Sequence, residues 1–259
     1  MSTKPIGIFD SGVGGTSIWK EINRLLPNEN TIYLGDSANA PYGPKGEKRI
    51  KELSIKNVEL LLSKNCKVIV VACNTATTNA ITYLRKIYHI PFIGIEPAIK
   101  PAALNTKTNV VGVLATKGTL ASELFHDTAN LYSNNITKII QEGEGIVQLI
   151  ENGKLNSNEM RTLLNIYLKP MIKANIDYLV LGCTHYSYLI PILNYLLPKH
   201  VHIIDSGKSV AKQVKNILNQ NQLTNNKVTK LSNIFYSNGN TEVMASLLNY
   251  DFSVTHLNF

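Results

Sequence analysis

Short runs rich in Ile and Val recur at residues 6–9, 31–34, 68–71, 92–95, 110–114, 178–181 and 202–204. Longer amphipathic stretches lie between most of them, including 17–26, 45–63, 76–88, 158–174 and 208–218. Runs this short and this continuously apolar fit strands covered on both faces. A helix-length crossover before the next strand is the connection a parallel pair requires. The expected fold class is therefore α/β, with doubly wound parallel sheets. A chain of 259 residues has room for one large domain or two small ones.

An internal repeat favours two. IGIFDSGVGGTS matches VVGVLATKGTLAS, VIVVACNTAT matches YLVLGCTHYS, and PFIGIEPA matches VHIIDSGK, in the same order in each half. Two pseudo-symmetric units are expected: residues 1–96 plus 206–259 form the first domain, and residues 97–205 the second. In open parallel sheets, ligands bind outside the carboxyl ends of the strands. All the polar motifs fall there, so the expected active site is an interdomain cleft, a usual place for a small-molecule site.

Composition excludes several classes. Hydrophobic residues make up 44% and charged residues 17%, too apolar a balance for a disordered chain. The opening MSTKPIGIFD lacks the basic, apolar and small-residue segments of a secretory signal. The apolar runs are too short to cross a bilayer, so a cytoplasmic protein without a membrane partner is expected. Cys66, Cys73 and Cys183 cannot all pair and form no C-x-x-C motif, which argues against a disulfide scaffold. The formal charge of +8 invites a nucleic-acid reading. Lys45, Lys48, Lys51 and Lys56 read instead as a solvated helical face, and no nucleic acid is required.

Three constellations carry possible chemistry. Asp10-Ser11-Gly12-Val13-Gly14-Gly15-Thr16 joins a strand to a helix, and its glycines allow an anion close to the helix N-terminus. It lacks the Walker lysine and the dinucleotide spacing, and Asp10 would repel phosphate. An amino acid, with an ammonium beside its carboxylate, suits that mixed polarity better. Cys73-Asn74-Thr75 and Cys183-Thr184-His185 occupy equivalent strand-to-helix turns. Zinc is disfavoured because Cys183 and His185 are too closely spaced and Cys73 has no neighbouring ligand. A Cys183–His185 amidase nucleophile leaves Cys73 without a role. Racemisation employs both thiols, since a proton must leave one face of a carbon and return to the other. A helix N-terminus would lower a cysteine pKa by about 1.5 units, to partial thiolate near neutrality.

At these residues the sequence resembles the glutamate racemase family. The resemblance spans nearly the whole chain, through IFDSGVGG, GDSANAPYG at 35–43, ACNTAT at 72–77, GVLATKGT at 112–119, LIENG at 149–153 and LGCTHY at 181–186. It implies cofactor-independent interconversion of L- and D-glutamate, without pyridoxal phosphate, metal or nucleotide, to supply D-glutamate for peptidoglycan, in a homodimer. It also implies that Cys73 deprotonates D-glutamate and Cys183 L-glutamate, that Asp10 and His185 assist them, and that Glu151 is a further carboxylate near His185. Substrate contacts map onto Asp10, Ser11, Pro41, Tyr42, Gly43, Cys73, Asn74, Thr75, Thr116, Thr119, Cys183, Thr184 and His185. The sequence departs from the commoner pattern at Asn39, where Arg is frequent. Gly143-Glu144-Gly145 replaces a Cys-Pro pair, and Ser187 stands where Pro is usual. An aspartate racemase-like enzyme and a non-catalytic amino-acid-binding protein remain as alternatives.

Overall fold

A computed structural model describes residues 2–131, 136–225 and 231–259. Among the described residues, ten strands form two sheets. The first sheet contains β1 (Ile6–Asp10), β2 (Thr31–Gly35), β3 (Val68–Val71) and β4 (Phe92–Gly94). The second contains β5 (Val110–Ala115), β6 (Thr137–Glu142), β7 (Tyr178–Gly182) and β8 (His202–Ile204). The chain then returns to the first sheet with β9 (Asn233–Ser237) and β10 (Val254–His256). The strand orders are β10-β9-β2-β1-β3-β4 and β6-β5-β7-β8, and every pairing between described strands is parallel. The inner order 2-1-3-4 of the first sheet thus reappears as 6-5-7-8 in the second, and the three repeated sequence pieces fall on β1 and β5, β3 and β7, and β4 and β8. The α/β class with two similar doubly wound parallel sheets is the observed fold.

The crossovers are helices: α1 (Thr16–Leu25), α2 (Gly46–Ser63), α3 (Asn74–Ile87), α4 (Ile99–Asn105), α5 (Lys117–Leu120), α6 (Glu123–Leu131), α7 (Ile146–Glu151), α8 (Asn158–Lys173), α9 (Ile190–Leu196), α10 (Gly207–Gln220) and α11 (Thr241–Leu247). Side chains alternate across each strand, so one strand feeds two cores. Ile6, Ile8, Val68 and Val70 join Trp19, Ile22 and Val214 on the α1 and α10 face, whereas Phe9, Ile69 and Val71 join Ile50, Val58 and Leu84 on the α2 and α3 face. The same cluster also contains Val13, Leu114, Ile146, Leu181 and Leu193, so apolar packing is continuous between the two lobes. All seven strands expected from the Ile and Val runs are present. Among the described residues, no helix is long and apolar enough to cross a membrane.

At the opposite end from the cleft, Lys67 and Glu29 form a buried ion pair at 2.5 Å. Lys67 also donates to the carbonyls of Ser2 and Leu223, and Glu29 accepts from the Asn225 amide. The pair ties the start of the chain to the segment following α10.

Candidate active site

The site is assembled at the carboxyl ends of β1, β3, β5 and β7. β1 ends at Asp10, where the loop 11–15 turns into α1. The glycine-rich loop lets carboxylates come close to the helix N-terminus: Gly12 N and Gly15 N donate to Asp10 Oδ2 at 3.2 and 3.0 Å, and Val13 N donates to Glu151 Oε1 at 2.7 Å. The anions held there are the protein's own carboxylates. The glycines serve close approach as well. A Cβ on Gly12 would fall 1.9 Å from Glu151 Oε1, and one on Gly14 would fall 2.3 Å from His185 Nδ1. The loop is bare where those two side chains of the second lobe must enter.

Cys73 caps α3. Its Sγ accepts from Ala76 N at 3.4 Å and contacts Ser11 Oγ at 3.5 Å. The thiolate expected from the helix terminus is not what this environment favours. Burial pushes the Cys73 thiol well above its ordinary range, and the neighbouring Asp10 adds to it, outweighing the hydrogen bond with Ser11 and the one accepted from Ala76 N. Burial also pushes Asp10 up to about 6, against the charge of His185 and the two glycine amides. Thr184 Oγ1 of the second lobe donates to Asp10 Oδ1 at 3.3 Å.

Cys183 follows β7, but the turn it opens, Thr184–Leu189, is a 3-10 helix rather than an α-helix, and Cys183 makes no capping hydrogen bond there. The pseudo-symmetry of the two cysteine turns ends at that point. Cys183 Sγ lies 3.7 Å from His185 Nδ1, and His185 Nε2 lies 2.6 Å from Glu151 Oε1. Burial works against charge on His185. Its hydrogen bonds and charge interactions with Cys183 and Glu151 outweigh that, and its pKa stands well above the usual histidine value. The ring sits between the Cys183 sulfur and the Glu151 carboxylate, an arrangement that favours its charged form.

Ser11, Pro41, Tyr42, Gly43, Cys73, Asn74 and Thr75 from the first lobe meet Thr116, Cys183, Thr184 and His185 from the second around one narrow cavity. Its volume is about 10 Å³, room for about one water. Asp10 and Thr119 adjoin that lining through Thr184 and through Thr75 and Thr116, and both are fully buried. Thr75, Thr116 and Thr119 form a hydroxyl triangle across the lobes, with oxygens 2.9, 3.4 and 3.0 Å apart. Asn74 is buried, and neither of its side-chain polar atoms has a hydrogen-bond partner. Buried polar groups in native structures are seldom unpaired, and this amide lines the cavity with its hydrogen-bonding capacity unused.

Tyr42 is held from behind. Its hydroxyl donates to Asp36 Oδ2 at 2.5 Å and accepts from Asn57 Nδ2 at 3.1 Å. Asn39, the departure from the common Arg, donates to Asp36 Oδ1 at 2.8 Å. Gly143, another departure, lies where a Cβ would fall 2.3 Å from the Tyr186 hydroxyl, which donates to the Gly143 carbonyl at 3.0 Å. Sequence reasoning missed Val147, which lines the cavity, and Ser37, whose hydroxyl donates to Glu151 Oε2 at 2.9 Å. A valine inside a helix gives no sequence cue. Ser37 lies within the GDSANAPYG motif, where its spacing from Glu151 gives no hint of contact. Among the described residues, no group of three or more His, Cys, Asp or Glu could hold a metal ion.

Residues 6–214 match the Asp/Glu/Hydantoin racemase family. The glutamate racemase of Ectopseudomonas mendocina (strain ymp) is 42% identical over 249 residues, covering 96% of this chain and 94% of its own. The crystal structure of glutamate racemase from Francisella tularensis subsp. tularensis SCHU S4 in complex with D-glutamate superposes with a TM-score of 0.86 at 29% identity, covering 100% of this chain and 98% of the other. That of Escherichia coli glutamate racemase, in complex with L-glutamate and the activator UDP-MurNAc-ala, gives 0.87 at 32% identity, covering 98% and 97%. The chain belongs to the Asp/Glu/Hydantoin racemase family and is an amino-acid racemase.

Proposed function

We propose that this racemase interconverts L- and D-glutamate by a two-cysteine mechanism that needs no pyridoxal phosphate, metal or nucleotide. The observation that carries the reading is that Cys73 and Cys183, on equivalent strand ends of two similar lobes, line one cavity and have different acid–base partners. Two relatives of the same fold hold opposite enantiomers of glutamate, which supports the substrate.

In this reading, one thiolate removes the α-proton and the opposite thiol returns a proton to the other face of a nearly planar carbanion. Cys183 acts on L-glutamate. The imidazolium of His185 supplies the positive partner that a thiolate there requires, and Glu151 holds the imidazolium in place. Cys73 acts on D-glutamate. Its thiol keeps its proton in the closed unliganded site, and the substrate ammonium offsets Asp10 when Cys73 must ionise. Asn74, Thr75, Thr116, Thr119 and Thr184 donate to the substrate carboxylates, and donors aimed at the α-carboxylate stabilise charge as it develops there. Ser11, Pro41, Tyr42 and Gly43 complete the wall. The cavity is too small for an amino acid, so the lobes must part to admit substrate.

The division into residues 1–96 plus 206–259 and residues 97–205 belongs to this proposal and agrees with the strand membership of the two sheets. We assign the enzyme to the cytoplasm, as a homodimer that supplies D-glutamate for peptidoglycan.

The test is incubation of purified protein with L-glutamate in deuterium oxide without added cofactor, following optical rotation and α-deuterium. A binding protein would give neither signal, and higher kcat/KM on aspartate would overturn the substrate. Cys73→Ala and Cys183→Ala should each abolish racemisation. Each should still eliminate a leaving group from one enantiomer of a suitable analogue, the L form for Cys73→Ala and the D form for Cys183→Ala. Near-normal racemisation by Cys73→Ala would refute the mechanism.

A further inference from the structure

We infer that Ser37 is a positioning residue: its hydroxyl holds Glu151, so that Glu151 holds His185 against Cys183 when the lobes are closed. The inference rests on the two-cysteine reading for its effect on rate, and on geometry alone for its effect on His185.

Both oxygens of Glu151 are occupied. Oε1 accepts from Val13 N at 2.7 Å and faces His185 Nε2 at 2.6 Å, while Oε2 accepts from Ser37 Oγ at 2.9 Å. Val13 lies in the loop before α1 and Ser37 opens a short 3-10 turn after β2, both in the first lobe, and Glu151 is the last residue of α7 in the second. One carboxylate therefore clasps the lobes together and orients the imidazolium. Ser37 is itself well anchored, because the preceding residue, Asp36, is buried and accepts hydrogen bonds from Asn39, Tyr42 and Asn238.

The clasp borders open space. A groove of about 310 Å³, lined by Ser37, Gln148, Glu151, Asn152, Gly239 and Asn240 among others, opens on the outer side of the carboxylate. Without the Ser37 hydroxyl, water from that groove can solvate Oε2 and draw the side chain away from His185. The bond from Val13 N alone reaches only Oε1 and leaves the carboxylate free to turn.

Two physical effects of removing the hydroxyl oppose each other, and this makes the inference testable. A hydrogen-bond donor withdraws charge from a carboxylate, so its loss alone would strengthen Glu151 as partner and raise the pKa of His185. Loss of position would separate the ion pair and lower it. The other ionisable groups facing this pair are Cys183 on the histidine's own turn, Asp10 at the end of β1 and Tyr33 on β2. None of them changes in a Ser37 variant.

The experiment is a heteronuclear NMR titration of His185 in the full-length wild type, Ser37→Ala and Ser37→Thr, with the resonance assigned by its loss in His185→Asn. Steady-state racemisation is measured across the same pH range. In Ser37→Ala the His185 titration should move down by about one unit, and kcat at pH 8 should fall on the order of tenfold with a smaller change in KM. Ser37→Thr, which retains the hydroxyl, should restore both. An unchanged or raised His185 pKa in Ser37→Ala overturns the inference, as does equal behaviour of Ala and Thr. If the wild type failed to racemise glutamate, the two-cysteine reading would fall while the NMR result still decided the role of Ser37.

Discussion

Replacing Gly14 with Ala tests how closely the glycine loop and His185 are fitted to each other. The new Cβ would stand 2.3 Å from His185 Nδ1 and 2.6 Å from the His185 backbone nitrogen. Tight but tolerated contacts begin near 3.0 Å and ordinary ones near 3.4 Å, so the ring or the loop must move by about 1 Å to relieve the overlap. His185 cannot move that far and keep both its 2.6 Å contact with Glu151 and its 3.7 Å contact with Cys183. A misplacement of about 1 Å in a catalytic group costs on the order of 100-fold in rate, whereas overpacking of this kind costs about 1–3 kcal/mol of stability. The variant should therefore remain folded at 25 °C and lose most of its activity. Racemisation followed by circular dichroism gives kcat/KM in each direction, and thermal unfolding gives stability. Enantiomers have equal free energy, so the loss in kcat/KM must be equal in the two directions. Activity within about threefold of wild type would refute the reasoning, as would activity lost only in proportion to unfolding.

Asp10→Asn should be inactive but more stable at high pH. Folding raises the Asp10 pKa from 3.8 to about 6, so the folded state favours the proton. The corresponding stability is present below pH 3.8 and is lost as pH rises through 6, where the buried anion costs on the order of 3 kcal/mol. Denaturation at pH 4 and pH 8 should show the variant gaining on wild type only at pH 8, and an equal gap at both would contradict this. Lys67→Met removes one member of a buried pair and strands Glu29. It should cost about 3–5 kcal/mol in urea denaturation and leave kcat of the folded fraction unchanged; a loss below 1 kcal/mol would show that the pair is not a structural tie. Thr119→Val preserves shape but removes a hydroxyl from the threonine triangle. KM for glutamate should rise on the order of tenfold with little change in kcat, as expected for lost ground-state binding, and an unchanged KM would remove Thr119 from the substrate's partners.

The longer helices and the most buried strands were legible because burial on both faces leaves an unmistakable run of Ile and Val, as at 68–71. β6, β9 and β10 were not. TKIIQE and NIFYS mix polar with apolar residues because β6 is an edge strand and β9 is only partly buried. The short α5, α7, α9 and α11 span at most two turns, too little for a 3.6-residue period to show.

The sequence by itself determined the succession of the seven strands rich in Ile and Val and of the longer helices between them, the repeat, and the two cysteines at equivalent strand ends. All of these are local patterns that repeat along the chain. Only the tertiary structure decided that the glycine-loop amides serve Asp10 and Glu151, and that Ser37 reaches Glu151 across 114 positions of sequence. It also decided the charge states. A helix terminus seen in the sequence suggested a thiolate at Cys73, but burial and the adjacent Asp10 oppose that charge, while Glu151 and Cys183 hold charge on a buried His185. Desolvation and charge–charge interactions depend on what packs around a group in three dimensions, and residues far apart in the chain supply that surrounding only once it has folded.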